Sequence, residues 1–189
     1  MISDKCKLNN GMTEEVRNAF LNEHNRLRSL TARGLAENPN GTNGYAPKAA
    51  RMLKMVYECK VEETASKHAQ KCEFKHSGDR GVGENIWMIA ARRENFKQMA
   101  ISFEILFKAS QSWFSELKKA GVPPDNRLTM ELWNRPKKVI GHYTQMVWER
   151  SYKLGCGVAF VPEDDTCRLP ICTSVNVFFL HIGMYKKRQ

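Results

Sequence analysis

Six cysteines are the residues whose type and spacing first suggest a chemistry. None of them forms the Cys-x-x-Cys pair that is typical of zinc sites. Their number is even and they are spread along the chain, which favours disulfide bonds made in an oxidising compartment. Spacing alone does not select among the alternative pairings. The cysteines are Cys6, Cys59, Cys72, Cys156, Cys167 and Cys172.

Serine and histidine side chains are the other candidates for chemistry. Ser77 follows His76 directly, but neighbours in sequence do not make a catalytic dyad in space. The chain contains no Gly-x-Ser-x-Gly motif, which positions the nucleophile of many hydrolases. His24 and His68 fall on helical stripes, so we expect them to be packed or solvated rather than to bind a ligand.

The first two helices that must position these groups can be read from capping and periodicity. Thr13 can cap a helix that Glu14 and Glu15 favour at its positive end, and the apolar spacing continues to about Leu30. An apolar stripe from about Ala50 predicts a second helix that ends at Cys72. The segment Phe74 to Gly83 is predicted to be a loop that leads into Glu84.

The remaining elements are predicted in the same way. The most apolar helix should run from about Asn95 to Ala120 and stop at Gly121. A short helix is expected over Gly141 to Arg150, with His142, Gln145 and Trp148 on one face. Strands are expected at Gly155–Val161 and Cys172–Ile182.

The composition describes one globular domain over residues 1–189. With 42% apolar and 26% charged residues, a chain of this length can build its own core. The apolar runs are far shorter than the ~20 residues that cross a bilayer, so no transmembrane segment is predicted. The net charge of +10 admits anionic partners, but nucleic acid is excluded because the chain has no recognition motif and is rich in disulfide candidates.

The N-terminal segment and one sequon bear on the compartment. Residues Met1 to Cys6 lack the apolar stretch of a signal peptide. Together with the cysteines, this predicts a mature secreted, extracellular chain with an added start methionine. The triplet Asn40-Gly41-Thr42 is a glycosylation sequon in a loop, which fits secretion and leaves open whether Asn40 is glycosylated.

A longer motif gives the chain a family resemblance. The segment Gly141 to Ser151 closely resembles the first signature of the CAP superfamily, also called SCP/TAPS, which includes cysteine-rich secretory proteins and venom allergens. The segment Ala46 to Met52 looks most like the secreted CAP proteins of parasitic nematodes, of the activation-associated or hookworm-secreted type. The resemblance extends over most of the chain, at Phe20 to Arg28, Lys71 to Ser77, Gly83 to Trp87, Ser112 to Glu116 and Leu154 to Gly157.

The resemblance implies a fold and a set of disulfides. The fold class would be α+β, a three-layer α-β-α sandwich with a small antiparallel sheet between helices. The implied disulfides are Cys72–Cys156, Cys6–Cys59 and Cys167–Cys172. This chain departs from the family where a cysteine is usual on the last strand, because Leu180 stands there, and Phe160 to Pro162 replace the segment that holds its usual partner.

The resemblance also implies a cleft with four polar residues. His76, Glu84, Glu116 and His142 match the two histidines and two glutamates that line the cleft of this superfamily. His76 and His142 could hold Zn²⁺, while the carboxylates orient a bound water. The alternative is a buried hydrogen-bonded network that only stabilises the fold.

From these features we expect a binding protein rather than an enzyme. The predicted function is a secreted CAP-domain protein that binds a host protein or receptor, or an apolar lipid or sterol ligand, in host–parasite interaction and immune modulation. The alternative is a metal-assisted, protease-like hydrolase that uses the four cleft residues. A monomer or weak homodimer is expected, and Trp133 is a candidate for an exposed contact surface.

Overall fold

The computed structural model describes residues 6–71, 73–78, 81–88, 103–160 and 171–178. The helices in this part of the chain are Glu14–Ala32 (α1), Cys59–Ala69 (α2), Phe103–Phe114 (α3), Glu116–Ala120 (α4), Met130–Trp133 (α5) and Gly141–Met146 (α6). The strands are Val56–Tyr57 (β1), Val82–Trp87 (β2), Lys153–Phe160 (β3) and Ile171–Phe178 (β4). A single 3₁₀ turn, Thr42–Gly44, lies in the loop after α1.

The strands form one sheet in the order β1-β3-β4-β2. β4 lies between β2 and β3 and pairs antiparallel with both. Its residue Asn176 is therefore paired with Glu84 of β2 on one side and with Gly155 of β3 on the other. The two-residue β1 pairs parallel with β3, which makes the predicted antiparallel sheet a mixed one. The α2 helix packs on β3 and β4, while α1, α3 and α6 form the layer that contains the main core. The predicted α+β sandwich is therefore confirmed.

Two glycines allow α2 to lie directly on the sheet. A Cβ atom at Gly155 would come within 2.2 Å of the Glu62 backbone nitrogen, and one at Gly157 within 2.3 Å of the Ala65 carbonyl carbon. Side chains alternate along a strand, so Leu154 and Cys156 point to the opposite face and are fully buried in the main core. The alternation of glycine and apolar residues thus fits a close helix on one face and a packed core on the other.

The helix predictions are correct at some boundaries and wrong at others. The Thr13 side chain accepts a hydrogen bond from the Val16 backbone N–H, as expected for the cap of α1. The predicted start of the second helix near Ala50 is wrong, since the chain stays extended until Cys59. Its extension is fixed by the parallel pairing of β1 and by Asn25, whose amide exchanges two hydrogen bonds with the Met55 backbone at 2.8 and 3.0 Å.

The predicted long third helix is divided in the structure. It breaks at Ser115, whose hydroxyl donates to the Ser112 carbonyl at 2.7 Å, a local bond that competes with continuous helix. Gly121 ends the second piece with a φ of 70°, as predicted. The short helix over residues 141–150 is correct but ends at Met146. The predicted helix start at 95–102, Val161 and the strand residues 179–182 lie outside the described residues, as does Leu180.

Arg28 holds the core layer together from inside. Its side chain is buried, and its guanidinium donates to the carbonyls of Leu53, Met146 and Trp148 at distances from 2.6 to 3.2 Å. Burial lowers the pKa of Arg28 to about 10. This one side chain therefore ties α1 to the end of α6 and to the segment before β1.

His24 makes folding sensitive to acid. The ring is 1% exposed and packs 4.3 Å from the Phe20 ring, while Nδ1 donates to the Phe20 carbonyl at 3.1 Å. No described group pairs with Nε2, and burial lowers the pKa of His24 to about 4. Below about pH 6.5 the unfolded chain binds a proton that the folded chain excludes. We therefore expect the contribution of His24 to the free energy of unfolding to be complete above pH 6.5 and to be lost as the pH falls towards 4.

Urea unfolding at several pH values would measure this effect. The stability difference attributable to His24 should reach roughly 3 kcal/mol at the acid end. A His24→Phe variant keeps an aromatic ring in the same space but cannot bind a proton, so its stability should fall less steeply between pH 6.5 and 4. Identical pH dependence in the two proteins would contradict the assignment to His24.

Candidate functional site

A cleft of about 760 Å³ opens beside α6. Its wall contains three of the four polar residues that the sequence predicted, namely His76, Glu84 and His142. The fourth, Glu116, lies behind His142 and contacts it. The rest of the wall contains apolar and cationic side chains, namely Leu128, Trp133, Val139, Ile140, Trp148, Arg135, Lys137 and Lys138, together with Asn85, Gly141, Thr144 and Gln145.

His142 and Glu116 form the first polar pair. Nδ1 of His142 lies 2.6 Å from Oε1 of Glu116, and the other carboxylate oxygen accepts the Tyr143 backbone N–H at 3.0 Å. Asn85 donates to the His142 carbonyl at 3.0 Å, and the His142 ring stacks on Trp113. Because the carboxylate accepts at Nδ1, the neutral tautomer that fits this contact has its proton on Nδ1 and its lone pair on Nε2.

His76 and Glu84 form the second pair. Nδ1 of His76 lies 3.0 Å from Oε2 of Glu84, which also accepts the Ser77 backbone N–H at 2.8 Å. The Glu84 side chain is 6% exposed and the His76 side chain 64%. The carboxylate is thus fixed by the fold, whereas the imidazole reaches the solvent.

A third histidine completes this network, and sequence patterns did not connect it to the site. His68 is buried on α2, as predicted for a packed histidine. Its Nε2 donates to the Lys75 carbonyl at 2.7 Å and lies 3.3 Å from Oε1 of Glu84. His68 therefore anchors the loop that carries His76. The helical stripe predicted burial but not the partner, because the partner comes from a loop with no periodicity.

The two histidine–glutamate pairs have the donor groups of a metal site. A carboxylate at Nδ1 orients Nε2 of an imidazole towards a metal, which is the usual arrangement of metal-binding histidines. The donor types at His76 and His142 therefore fit Zn²⁺. Within the described ranges no group of three or more His, Cys, Asp or Glu side chains could hold an ion, so water would have to complete the coordination.

Two serines are neighbours in sequence of cleft residues, Ser77 beside His76 and Ser115 beside Glu116. The Ser115 hydroxyl donates to the Ser112 carbonyl. At Ser77, Glu84 receives the backbone N–H.

Another part of the cleft wall is the loop at the end of α5. Arg135 fixes it by donating to the carbonyls of Ala120 and Gly121 at 3.0 and 2.7 Å. Trp133 is 51% exposed, as expected for a contact surface, and its ring covers Gly141, where a Cβ atom would lie 3.0 Å away. Lys137 and Lys138 are exposed at the same wall.

The cysteines contribute one described crosslink. Cys6 and Cys59 form a disulfide that ties the N-terminal segment to the first residue of α2. Cys156 is buried and has no disulfide partner among the described residues. Its expected partner Cys72 lies outside them, as do Cys167 and the Cys172 side chain, so the two other pairings stay predictions.

No helix in the described part of the chain is long and apolar enough to span a bilayer.

Comparison with known proteins gives consistent matches. The model of the CAP, or cysteine-rich secretory protein, family matches residues 21–179. The Ancylostoma secreted protein of Ancylostoma caninum is 50% identical over 161 residues, which is 84% of this chain and 36% of that protein. Venom allergen 3 of Solenopsis invicta is 30% identical over 83% of this chain and 64% of its own. The chain thus spans only part of the length of these curated relatives.

Solved structures agree with the sequence relatives. The crystal structure of Na-ASP-1 superposes with a TM-score of 0.85 at 41% identity, over 98% of this chain and 45% of that one. NaASP2, solved with Zn²⁺, superposes with a TM-score of 0.79 at 38% identity, over 96% of this chain and 90% of that one.

Proposed function

The chain belongs to the CAP family of cysteine-rich secretory proteins, and on that premise we propose that it is secreted and acts by binding a host protein or an apolar ligand at its cleft. The names of its relatives, a secreted protein and a venom allergen, support an extracellular role. Immune modulation is the role we propose for such binding. A monomer or weak homodimer stays our expectation for its assembly.

One observation carries this proposal. The carboxylates of the cleft are occupied by bonds within the protein, since Glu84 accepts from His76 and Ser77, and Glu116 accepts from His142 and Tyr143. In contrast, another part of the cleft wall presents exposed apolar and cationic side chains. In this site the carboxylates of Glu84 and Glu116 bond to groups of the protein, while the apolar and cationic side chains of the wall are exposed to a ligand. Such an arrangement is suited to recognition rather than turnover.

The test compares two variants in a host-cell binding assay and in a peptide and ester hydrolysis screen. Glu116→Gln keeps one acceptor for His142 or Tyr143, so binding should be nearly unchanged. The double variant Lys137→Glu, Lys138→Glu should slow association, mostly at low salt. Reproducible hydrolysis that Glu116→Gln abolishes, by ~10²–10⁴-fold for a lost general base, would instead establish an enzyme.

The second candidate is a metal-assisted hydrolase. It is favoured by the two imidazoles whose Nε2 atoms are left for an ion, and by a relative at 38% identity that was solved with Zn²⁺. Bound zinc would supply a water of lowered pKa, which Glu84 or Glu116 could orient.

Zinc titration by calorimetry tests whether this chain binds the ion. We expect the double variant His76→Ala, His142→Ala to lose measurable binding, because two ligands leave together. Acidification should weaken binding to the unmodified chain, since protons compete for the same lone pairs. Equal zinc affinity in both proteins, with unchanged melting temperatures, would rule out these histidines as the ligands.

A further inference from the structure

The cleft contains a polar group that none of the described residues satisfies. Gln145 lies in the cleft wall on α6 and is 9% exposed. Its Nε2 is buried, and no described group accepts a hydrogen bond from it. A buried donor without an acceptor costs about 1–3 kcal/mol, so a ligand that brings a carbonyl or carboxylate oxygen would remove this cost.

The charges of the wall specify the sign of the ligand. Glu84 is its acidic member, and both Glu84 oxygens are within bonding distance of groups of the protein. Arg135 donates three of its five N–H groups to backbone carbonyls. Lys137 and Lys138 remain exposed, with no ion pair to a described residue. The cleft is therefore complementary to a carboxylate.

Apolar groups lie next to these lysines. Val139 is 62% exposed and Trp133 is half exposed. Exposed apolar side chains that lie together in a cleft wall commonly mark an interaction site. Lys137 adopts a left-handed φ of 59°. The Lys138 backbone N–H donates to the Arg135 carbonyl at 3.4 Å, and the Arg135 guanidinium donates to the carbonyls of Ala120 and Gly121. The wall is thus preorganised, which lowers the entropy lost on binding.

We propose that the cleft binds a peptide segment in which an acidic side chain lies next to a bulky apolar one. The acid would pair with Lys137 and Lys138, the apolar group would pack on Trp133 and Val139, and a backbone carbonyl would accept from Gln145. The inference rests on the proposed binding function and names the class of its partner. A fatty acid could cover the apolar wall, but it brings one carboxylate, whereas a peptide brings a side-chain carboxylate for the lysines and a separate backbone carbonyl for the Gln145 amide.

Four fluorescein-labelled octapeptides of equal length provide the probes. They combine Glu with Phe, Gln with Phe, Lys with Phe, and Glu with Ala. Fluorescence anisotropy with the full chain should show that the Glu and Phe peptide binds roughly tenfold more tightly than each of the others. That preference should shrink as salt screens the lysines.

Variants locate the binding. Lys137→Glu, Lys138→Glu should weaken binding of the Glu and Phe peptide by roughly tenfold or more. Gln145→Leu should weaken it by about fivefold through one lost hydrogen bond. The matched control is Lys118→Glu, Lys119→Glu, an equal charge change on α4, where Lys118 pairs with Glu37 at 2.6 Å. We expect the control to bind like the unmodified chain.

Three results would overturn the inference. These are equal affinity for the Glu and Gln peptides, unchanged affinity in the Lys137 and Lys138 variant, and binding only to phosphatidylserine vesicles, which would identify a lipid surface instead. The host-cell assay separates the two proposals. If host-cell binding persists without peptide selectivity, the inference alone fails, and if host-cell binding is also absent, the proposed function fails with it.

Discussion

Replacing Gly157 with alanine should lower the free energy of unfolding by about 4 kcal/mol or prevent folding altogether. A Cβ at this position would lie 2.3 Å from both the Ala65 carbonyl carbon and the Ser66 backbone nitrogen. These are backbone atoms in the middle of α2, so no side chain can rotate away. The helix would have to lift from the sheet, a change larger than the 1–3 kcal/mol typical of an overpacked core.

Thermal and urea unfolding would measure the loss, and Gly44 provides the control. Gly44 has a φ of 80°, and no atom lies within 4 Å of a Cβ built on it. The stability lost in Gly44→Ala therefore measures only the cost of placing alanine in the left-handed conformation, which is about 1–2 kcal/mol. A Gly157→Ala protein as stable as the Gly44→Ala protein would mean that α2 does not lie as close to the sheet as described.

Replacing Glu62 with glutamine should cost about 3–5 kcal/mol. Glu62 is fully buried on α2 and accepts from Nε and Nη2 of Arg17, both at 2.7 Å, and from Asn10 at 2.8 Å. This pair holds the pKa of Arg17 above its ordinary value. Without the Glu62 carboxylate, a guanidinium that is 3% exposed would remain buried, and its charge would be balanced only by Glu14, whose Oε1 lies 3.0 Å from Nη1.

Urea unfolding of a pair of variants separates a lost charge from lost volume. The double variant Arg17→Met, Glu62→Met removes both charges and keeps apolar bulk, so it should recover most of the stability that Glu62→Gln loses. A loss below about 1 kcal/mol in Glu62→Gln would mean that water reaches the pair. A double variant less stable than Glu62→Gln would mean that the ion pair is itself stabilising.

Local sequence patterns predicted the elements whose causes are local. Thr13 caps α1 through a hydrogen bond to Val16 three residues away, and Gly121 ends α4 by adopting a φ that other residues avoid. Both signals lie within one helical turn of the feature that they set. The start of α2 failed for the opposite reason, because Asn25 and β3 hold residues 55–57 extended from distant parts of the chain.

The candidate site shows the same division. The family motif named His76, Glu84, Glu116 and His142, but the chain separates Glu116 from His142 by 26 positions, and no periodicity joins them. The role of His68 required the loop at Lys75 to fold back onto α2. The unsatisfied amide of Gln145 could be identified only once its neighbours were in place. Sequence thus indicated residue types, whereas tertiary packing decided which atoms meet.

The disulfide joins Cys6 to Cys59, which are separated by 53 positions in the sequence. The loop that follows α1 lies within the segment that this disulfide closes. That loop contains exposed residues around the Thr42–Gly44 turn, where a protease would cut most readily. A single cut there would leave two fragments that the sulfur atoms still join. On a denaturing gel the cut molecule would migrate as one chain until the disulfide was reduced. Whether the two fragments stay covalently joined in a protease-rich medium therefore depends on the redox state of that medium.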